Sequence, residues 1–285
     1  MEKLNDPLLS VVVPSYNSEC YIRECLESLR VAKSDRVEYI LIDGGSSDNT
    51  MSIVADYREI FSVVISEKDK GQSDAFNKGF ALAQGEYLTW LNSDDVFTPG
   101  ALEFALDWIG LDRKPWYAAN MVYTDSESKI LKCCRSGGFE SFGVHFGILN
   151  VFGPSTIFSR KLYQSLGGFR EDFHFCMDTE YWWRIANSGI QYERIPVYLW
   201  ALRLHEGAKT AAVVTQGQSA RPPRMVEENE AYREMYFSDV SEGCKRRGVL
   251  LLRLWRVLNF SYIKSYLDTV RCRGELVSSI RNGQS

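Results

Sequence analysis

The chain has 285 residues, of which 45% are apolar and 25% are charged, as expected for a soluble globular protein with one large or two small domains. Its formal net charge of -4 argues against nucleic-acid binding, because proteins that wrap nucleic acid carry strongly basic domains. The seven cysteines form no CxxC pair, and neither a secretory signal nor an apolar window of about 18 residues is found, so we expect reduced thiols in a cytoplasmic protein.

The first 65 residues alternate between apolar strands and amphipathic helices. Residues 8–13, LLSVVV, are typical of a strand buried on both faces, and Pro14 ends it. Apolar side chains then recur at helical spacing over 22–29, and strand patterns return at 37–42 and 61–65. This order predicts an α/β fold with a doubly wound, mostly parallel sheet flanked by helices, in which ligands bind at the carboxyl ends of the strands.

Two adjacent carboxylates, Asp94 and Asp95, follow a fourth predicted strand at 88–91. Neighbouring side chains of an extended strand point to opposite faces, so both carboxylates can serve one site only where the chain turns. The turn-forming pair Pro99-Gly100 lies just downstream. The alternative is an acidic surface loop, because most loop carboxylates are merely solvated.

The second half of the chain is less regular. We predict a helix over 101–110, a β-hairpin from 116 to 132, and a helix that begins near Asp178 and ends at Gly189. The stretch 137–154 has no period, and long aperiodic loops in compact domains are usually functional or mobile. We expect this stretch to border an acceptor pocket.

Several ordered motifs resemble the inverting family 2 glycosyltransferases, which have the glycosyltransferase A fold and use nucleotide sugars. They span roughly residues 8–210, and such a series is more specific than any one motif. The matching blocks are VVVPSYN at 11–17, ILIDGGSSDNT at 40–50, KGQSDAFNKG at 70–79, GEYLTWLNSDD at 85–95, GPSTIFSR at 153–160, LGGF at 166–169 and MDTEYWWR at 177–184.

The resemblance implies roles for individual residues. Those assigned to the nucleotide are Pro14, Ser15, Tyr16, Asp43 and Asp94, with Asp94 on the ribose. Asp95 and His205 are assigned to a divalent metal, Mn²⁺ or Mg²⁺, which would neutralise the departing diphosphate. A core-packing role for Tyr16 and a structural role for His205 are the alternatives.

Two positions depart from the family pattern. Gly44 stands where relatives often have a second aspartate, and Phe76 stands where they often have an arginine. The carboxylate that reads the base is therefore left open. Asp74 is a candidate for the imino proton of uracil, although a carboxylate at a helix start also serves as a cap.

Asp178 corresponds to the family's catalytic base, which would deprotonate the acceptor hydroxyl. Its alternative role is a helix N-cap, and a helix N-terminus would favour the ionised form and weaken it as a base. Trp182 and Trp183 are assigned to acceptor binding, with core packing of at least one as the alternative.

The C-terminal segment 243–273 interleaves basic and apolar residues and contains a single acid, Asp268. This pattern fits either a helix in a membrane interface or a helix packed on the catalytic domain with a solvated basic face. We divide the chain into a catalytic domain, 1–214, and a helical extension, 215–285.

Together these features predict a metal-dependent inverting transferase that moves a hexose or N-acetylhexosamine from a UDP-sugar. The expected acceptor is a saccharide or lipid-linked saccharide in surface polysaccharide synthesis, on the cytoplasmic face of a membrane. The alternatives are a sugar-nucleotide hydrolase or nucleotidyltransferase and a non-catalytic nucleotide-sugar-binding scaffold. A hydrolase would consume donor without acceptor.

Overall fold

The structure, a computed structural model, describes residues 6–136, 146, 149, 151–209, 211–258 and 260–280. Its centre is a nine-stranded sheet within these residues, in the order β3-β2-β1-β4-β8-β6-β9-β5, with β7 paired to β6. The strands are β1 (Leu9–Ser15), β2 (Val37–Asp43), β3 (Val63–Ser66), β4 (Tyr87–Trp90), β5 (Val96–Phe97), β6 (Trp116–Thr124), β7 (Ile130–Cys134), β8 (Thr156–Ser159) and β9 (Glu193–Arg203).

Helices cover the sheet and continue beyond it. They are α1 (Ile22–Val31), α2 (Thr50–Ala55), α3 (Gln72–Leu82), α4 (Ala101–Leu111), α5 (Arg160–Leu166), α6 (Met177–Asn187), α7 (Ala211–Gln216), α8 (Pro223–Phe237), α9 (Glu242–Leu258) and α10 (Ser261–Cys272). Among the described residues, no helix is long and apolar enough to cross a membrane.

The N-terminal strands form the parallel half of the sheet and bring their loops to one edge. β1 lies between β2 and β4, and all seven of its residues are buried, which explains its unbroken apolar run. Ser15 pairs with Asp43, and Asp43 pairs with Ser66, so three strands end side by side. The predicted parallel arrangement is confirmed.

The second half of the sheet contains antiparallel pairs. β8 lies antiparallel between β4 and β6, and the predicted hairpin is present as β6 and β7. β9 runs parallel to β6 and antiparallel to β5, where Phe97 pairs with Trp200. Because β5 follows Asp95 directly, this pairing sets the end of β9 beside the two carboxylates.

Alternate residues of β1 face two cores. Val11 and Val13 pack with the core under α1 and α4, whereas Val12 packs with the aromatic core under α3 and α6. Gly85 lies between α3 and β4. A side-chain carbon at Gly85 would lie 2.6 Å from the Ser10 nitrogen, so close packing requires the glycine.

The last helix, α10, packs on the sheet. α10 lies along β7, where Thr269 Oγ1 accepts a hydrogen bond from the Cys133 nitrogen at 3.0 Å. Asp268 pairs with Arg135 at 2.7 Å, and Val277 is buried beyond the helix. The packed-helix alternative therefore holds for the inner face, while the domain boundary at residue 214 stays a prediction.

Candidate active site

Asp43 joins the ends of the three parallel strands. It is fully buried, and its carboxylate accepts hydrogen bonds from Ser15 Oγ at 3.1 Å and Ser66 Oγ at 2.7 Å. The backbone nitrogen of Ser46 donates a further bond at 2.9 Å. Burial opposes ionisation, but the donors from Ser46 and Ser66 outweigh it and lower the pKa of Asp43. Asp43 thus fixes the loops that surround the predicted nucleotide.

The β1 loop places one aromatic ring in solvent. Pro14 and Ser15 are buried at the end of β1, whereas Tyr16 is 64% exposed. Core packing of Tyr16 is therefore excluded. The next residue, Asn17, accepts a hydrogen bond from the Ser47 nitrogen at 2.9 Å, which ties this loop to the one after β2.

Asp69, which sequence reasoning missed, fills the space beside Gly44. A side-chain carbon built on Gly44 would lie 2.7 Å from Asp69 Oδ2. Asp69 Oδ1 accepts a hydrogen bond from the Gly71 nitrogen at 2.9 Å. Burial raises the pKa of Asp69, and the nearby charge of Asp74 raises it further. The missing side chain at position 44 was the signal, although the sequence did not show which residue fills the space.

Asp74 lies within the first turn of α3, but it is not the N-cap, which is Gly71. Its carboxylate accepts a hydrogen bond from the Lys70 nitrogen at 3.0 Å and pairs with Lys78 at 3.3 Å. These contacts secure the start of α3. The predicted contact of Asp74 with the base stays a prediction.

The carboxylates of Asp94 and Asp95 have different partners. Asp95 is 3% exposed and accepts hydrogen bonds from the Arg203 nitrogen at 2.9 Å and from Asn92 Nδ2 at 3.0 Å. Burial and the charge of Asp94 raise the pKa of Asp95 well above its usual range. Asp94 is less buried, and its Oδ2 lies 3.1 Å from His205 Nε2.

The buried side chain of Arg203 stabilises the turn at Asp94 and Asp95. Its side chain is 2% exposed, and its Nε donates to the Asp94 carbonyl oxygen at 2.8 Å. It also pairs with Glu24 at 2.7 Å, and its guanidinium stacks over the Tyr21 ring at 5.0 Å. Sequence reasoning missed this arginine because its partners lie far from it along the chain.

Asp178 occupies the second position of α6, and the N-cap is Cys176, so the N-cap alternative is wrong. Its Oδ1 accepts a hydrogen bond from the Thr179 nitrogen at 2.6 Å. A side-chain carbon on Gly153 would lie 3.3 Å from Asp178 Oδ2 and 3.7 Å from the Trp200 ring. Burial raises the pKa of Asp178, so the expected weakening by the helix N-terminus is reversed.

Glu228 of α8 caps α6 from outside. Its carboxylate accepts hydrogen bonds from the backbone nitrogens of His174 and Phe175, both at 2.7 Å, and of Cys176 at 2.9 Å. These donors lie in the turn that leads into α6, whose N-cap residue, Cys176, makes no side-chain capping hydrogen bond. This residue, also missed from the sequence, links the C-terminal extension to the helix that carries Asp178.

Trp182 and Trp183, in the same helix as Asp178, are both buried, which is what the core-packing alternative predicts. Trp182 stacks between Trp90 and Trp116, at ring-centre distances of 5.7 and 5.8 Å. Trp183 meets Phe237 of α8 edge-on at 4.2 Å. Their role toward an acceptor stays a prediction.

The described residues contain no group of three or more His, Cys, Asp or Glu side chains that could hold a metal ion on its own. What the turn does offer is one carboxylate and one imidazole, Asp94 and His205. Metals that bind nucleotide phosphates commonly use only one or two carboxylates together with phosphate oxygens. The donor set therefore fits a site that the ligand's diphosphate completes.

Comparison with known proteins gives the family. The Glycosyl transferase family 2 model matches residues 10–164, which is more than half of the chain. An uncharacterized glycosyltransferase of Rickettsia prowazekii (strain Madrid E) is 25% identical over 223 residues, covering 75% of this chain and 70% of the relative. Chondroitin synthase of Escherichia coli is 24% identical over 270 residues, covering 91% of this chain but only 36% of the relative.

Solved structures agree on the fold. The crystal structure of S. aureus TarS 1-349 in complex with UDP-GlcNAc matches with a TM-score of 0.56 at 22% identity, covering 70% of this chain and 59% of that chain. At this identity the likeness establishes the glycosyltransferase A fold alone. The family model, which matches more than half of the chain, shows that this protein belongs to glycosyl transferase family 2.

Proposed function

We propose that this protein transfers a sugar, with inversion, from a UDP-sugar to a saccharide or lipid-linked saccharide in surface polysaccharide synthesis. The observation that carries the proposal is that Asp178 and the strand beside the Asp94-Asp95 turn meet at Gly153. Trp200 of β9 pairs with β5, the strand after Asp95, and a side-chain carbon at Gly153 would lie 3.7 Å from the Trp200 ring and 3.3 Å from Asp178 Oδ2. The UDP-GlcNAc complex of TarS and the product of chondroitin synthase support the donor and the pathway class.

Asp178 would act as the general base. The acceptor oxygen attacks the anomeric carbon as its proton moves to Asp178, and the bond to the diphosphate breaks on the opposite face. A buried carboxylate with a raised pKa accepts a proton more readily than a solvated one. Gly153 leaves room beside Asp178 Oδ2 for the hydroxyl to enter.

We further propose that Asp94 and His205, rather than Asp95, hold the divalent metal. Both oxygens of Asp95 already accept hydrogen bonds within the protein, and the side chain is almost fully buried. Asp94 instead faces His205 and is partly accessible. When bound, Mn²⁺ or Mg²⁺ would neutralise the charge of the leaving diphosphate. Asp95 then shapes the turn that presents Asp94.

For the base of the nucleotide we propose Asp69 as the reader. Relatives often have an aspartate at the position of Gly44, and the Asp69 carboxylate lies where that side chain would begin. It is partly exposed and sits beside the loops fixed by Asp43. A carboxylate there would accept the imino proton of uracil. Asp74, the earlier candidate, is already engaged by Lys70 and Lys78.

The C-terminal helices also suggest where the enzyme works. The helices α9 and α10 and the turn between them expose many large apolar side chains to solvent. These are Leu250, Leu251, Leu254, Val257, Leu258, Phe260, Tyr262, Ile263, Tyr266, Leu267 and Val270. Exposed basic residues accompany them, whereas Asp268 turns inward to Arg135. We propose that this face rests on an anionic membrane surface, the charge-complementary partner, as interfacial helices do.

The activity is tested with purified protein, Mn²⁺ and a panel of UDP-sugars and GDP-mannose, each with and without saccharide acceptors. We expect UDP release that requires an acceptor and is lost in Asp178→Asn. Rapid release of UDP without acceptor would favour the hydrolase instead. Donor binding with no turnover under any condition would favour the non-catalytic scaffold.

A further inference from the structure

A cavity of about 260 Å³ lies between α6 and the C-terminal helices. Four parts of the chain enclose it: the segment before β8, helix α6, helix α8 with the loop after it, and helix α9. The lining residues are Phe146, Leu149, Val151, Thr179, Trp182, Trp183, Tyr232, Arg233, Phe237, Val240 and Lys245. Its volume is near the lower end of the range for small-molecule sites, about 300–1,000 Å³.

The cavity adjoins the proposed base. Thr179, which lines it, donates a hydrogen bond from Oγ1 to Asp178 Oδ1 at 3.2 Å. Trp182 lies four residues after Asp178, so the two side chains share one face of α6 about one turn, or roughly 6 Å, apart. A ligand in the cavity is thus within one sugar unit of the base.

The walls combine aromatic surface with positive charge. Trp182, Trp183 and Phe237 line the cavity with the parts of their rings that their core neighbours leave uncovered, and aromatic lining is common in small-molecule sites. Arg233 is paired with Glu242, but Lys245 makes no ion pair with any residue that the structure describes. Burial, followed by the charge of Arg233, lowers the pKa of Lys245, and the opposite charge of Glu242 offsets this only in part.

Close packing positions the helix that carries Lys245. Three residues further along α9, Gly248 lies so close to Phe146 that an added side-chain carbon would be 2.2 Å from Phe146 Cβ. The two cavity walls therefore meet at this glycine, and Lys245 lies about one helical turn before it.

We propose that this cavity is the acceptor site and that it selects an acceptor bearing an anionic group, which Lys245 binds while the tryptophans contact the sugar ring. The anion is either the carboxylate of a uronic acid or the phosphate of a glycosyl phosphate, since both present the same charged oxygens. The inference rests on the proposed transferase function. It adds the chemical class of the acceptor and assigns its recognition to the C-terminal extension.

Ligand-observed NMR on the full chain with UDP and Mn²⁺ tests the proposal. The probes are methyl glucuronide, N-acetylglucosamine 1-phosphate and the neutral methyl N-acetylglucosaminide. We expect at least one anionic probe to bind more tightly than the neutral one, and which anion binds identifies the source. Lys245→Gln should weaken that probe about tenfold, the effect of losing a charge-assisted hydrogen bond, while Lys245→Arg retains it.

Lys264→Gln, on the exposed face of α10, is the matched control and should leave the affinity of every probe unchanged. Equal binding of neutral and anionic probes, or an unaltered affinity in Lys245→Gln, overturns the inference. UDP affinity is measured in the same samples. If UDP binds but no probe responds to Lys245, only the acceptor assignment falls; if UDP itself does not bind, the proposed function falls with it.

Discussion

The environment of each aspartate decides what it can do. Asp43 is fully buried and Asp178 is half-buried, yet the pKa of Asp43 is lowered and that of Asp178 is raised. The difference is the number of donors, because four residues donate hydrogen bonds to the Asp43 carboxylate, whereas Thr179 is the one other residue that donates to Asp178 among those that the structure describes. Asp43 is consequently held as a structural anion, whereas Asp178 is poised to take up a proton.

Replacing Asp178 with asparagine should lower transfer by about 10²- to 10⁴-fold, the usual contribution of a general base. It should also stabilise the fold. Because the folded pKa of Asp178 lies above its unfolded value, ionisation costs stability at neutral pH and costs nothing once both states are protonated. Thermal unfolding of both proteins at pH 4 and pH 8 measures this.

We expect the gain of Asp178→Asn to be larger at pH 8, and the activity of the wild type to rise with pH through the raised pKa. Asp172→Asn is the control, because Arg170 holds the pKa of this exposed carboxyl below its usual range and no gain is expected. An Asp178→Asn protein with full activity would contradict the role of the base.

Nucleotide choice should depend on Asp69. Asp69→Ala should weaken UDP binding by about 10- to 100-fold, the loss of one hydrogen bond to a charged group, and wild-type protein should prefer UDP to GDP. The double change Gly44→Asp with Asp69→Ala moves the carboxylate to the position that relatives use. Gly44 is not among the positive-φ glycines, so a side chain is tolerated there.

Calorimetric titration of each variant with UDP gives the affinities. Recovery of UDP binding in the double variant supports a base-reading carboxylate at this point in space. Unchanged UDP affinity in Asp69→Ala would show that the base is read elsewhere, with Asp74 as the next candidate.

At the scale of elements, α6 depends on α8. α6 carries Asp178 but has no cap of its own, and Glu228 of α8 satisfies three backbone donors at its start. Tyr236 of α8 adds a hydrogen bond to the buried Glu180 at 2.6 Å. Contacts from α8 therefore help to position the helix that carries Asp178.

Glu228→Ala should destabilise the protein by about 1.5 to 3 kcal/mol, since charged hydrogen bonds are lost and buried donors are left unsatisfied. Burial opposes ionisation of Glu228, but the donors from His174, Phe175 and Cys176 lower its pKa, so this stability is present above the unfolded value and fades as pH falls through the folded one. Urea unfolding at pH 7 and in acid checks both points.

The neighbouring Glu227 is exposed, and Glu227→Ala should leave the free energy of unfolding within about 0.5 kcal/mol of wild type. An equal loss in both variants would mean that Glu228 contributes only surface charge.

Sequence patterns predicted some elements well and others not. β1 and β2 were predicted because a strand buried on both faces is predominantly apolar along its whole length. The pairing of β6 with β9, and the union of Arg203 with Glu24, could not be read from local pattern because the partners are distant in sequence. The capping of α6 by Glu228 escaped for the same reason.

Across the whole molecule, acidic side chains and basic or apolar side chains lie on different surfaces. The strand edge gathers carboxylates, while α9 and α10 expose basic and apolar side chains on the face turned away from β7. The net charge of -4 hides this asymmetry. A negatively charged surface would therefore attract α9 and α10 rather than the carboxylate-rich edge of the sheet.

The protein should bind vesicles containing phosphatidylglycerol at low salt and be released as salt rises, because each basic residue near an anionic surface contributes about 1 kcal/mol. Deleting the extension would expose core contacts, so point changes are the better probe. Leu254, Leu258 and Tyr266 are exposed, and replacing all three with serine should weaken cosedimentation without unfolding the chain.

Val31 and Leu111 are also exposed, at the ends of α1 and α4. Replacing both with serine provides the control. Binding that is identical in both sets, or that also occurs with neutral phosphatidylcholine vesicles at high salt, would contradict docking through α9 and α10.

The central claim is a metal-assisted nucleotide-sugar site built on the turn at Asp94. Calorimetric titration of UDP into the full chain, with and without Mn²⁺, tests it most directly, with Asp94→Asn and Asp178→Asn measured alongside. We expect UDP to bind tightly only with Mn²⁺, Asp94→Asn to abolish the metal effect, and Asp178→Asn to leave donor binding intact. UDP affinity that is the same with and without Mn²⁺, or no UDP binding at all, would contradict the account.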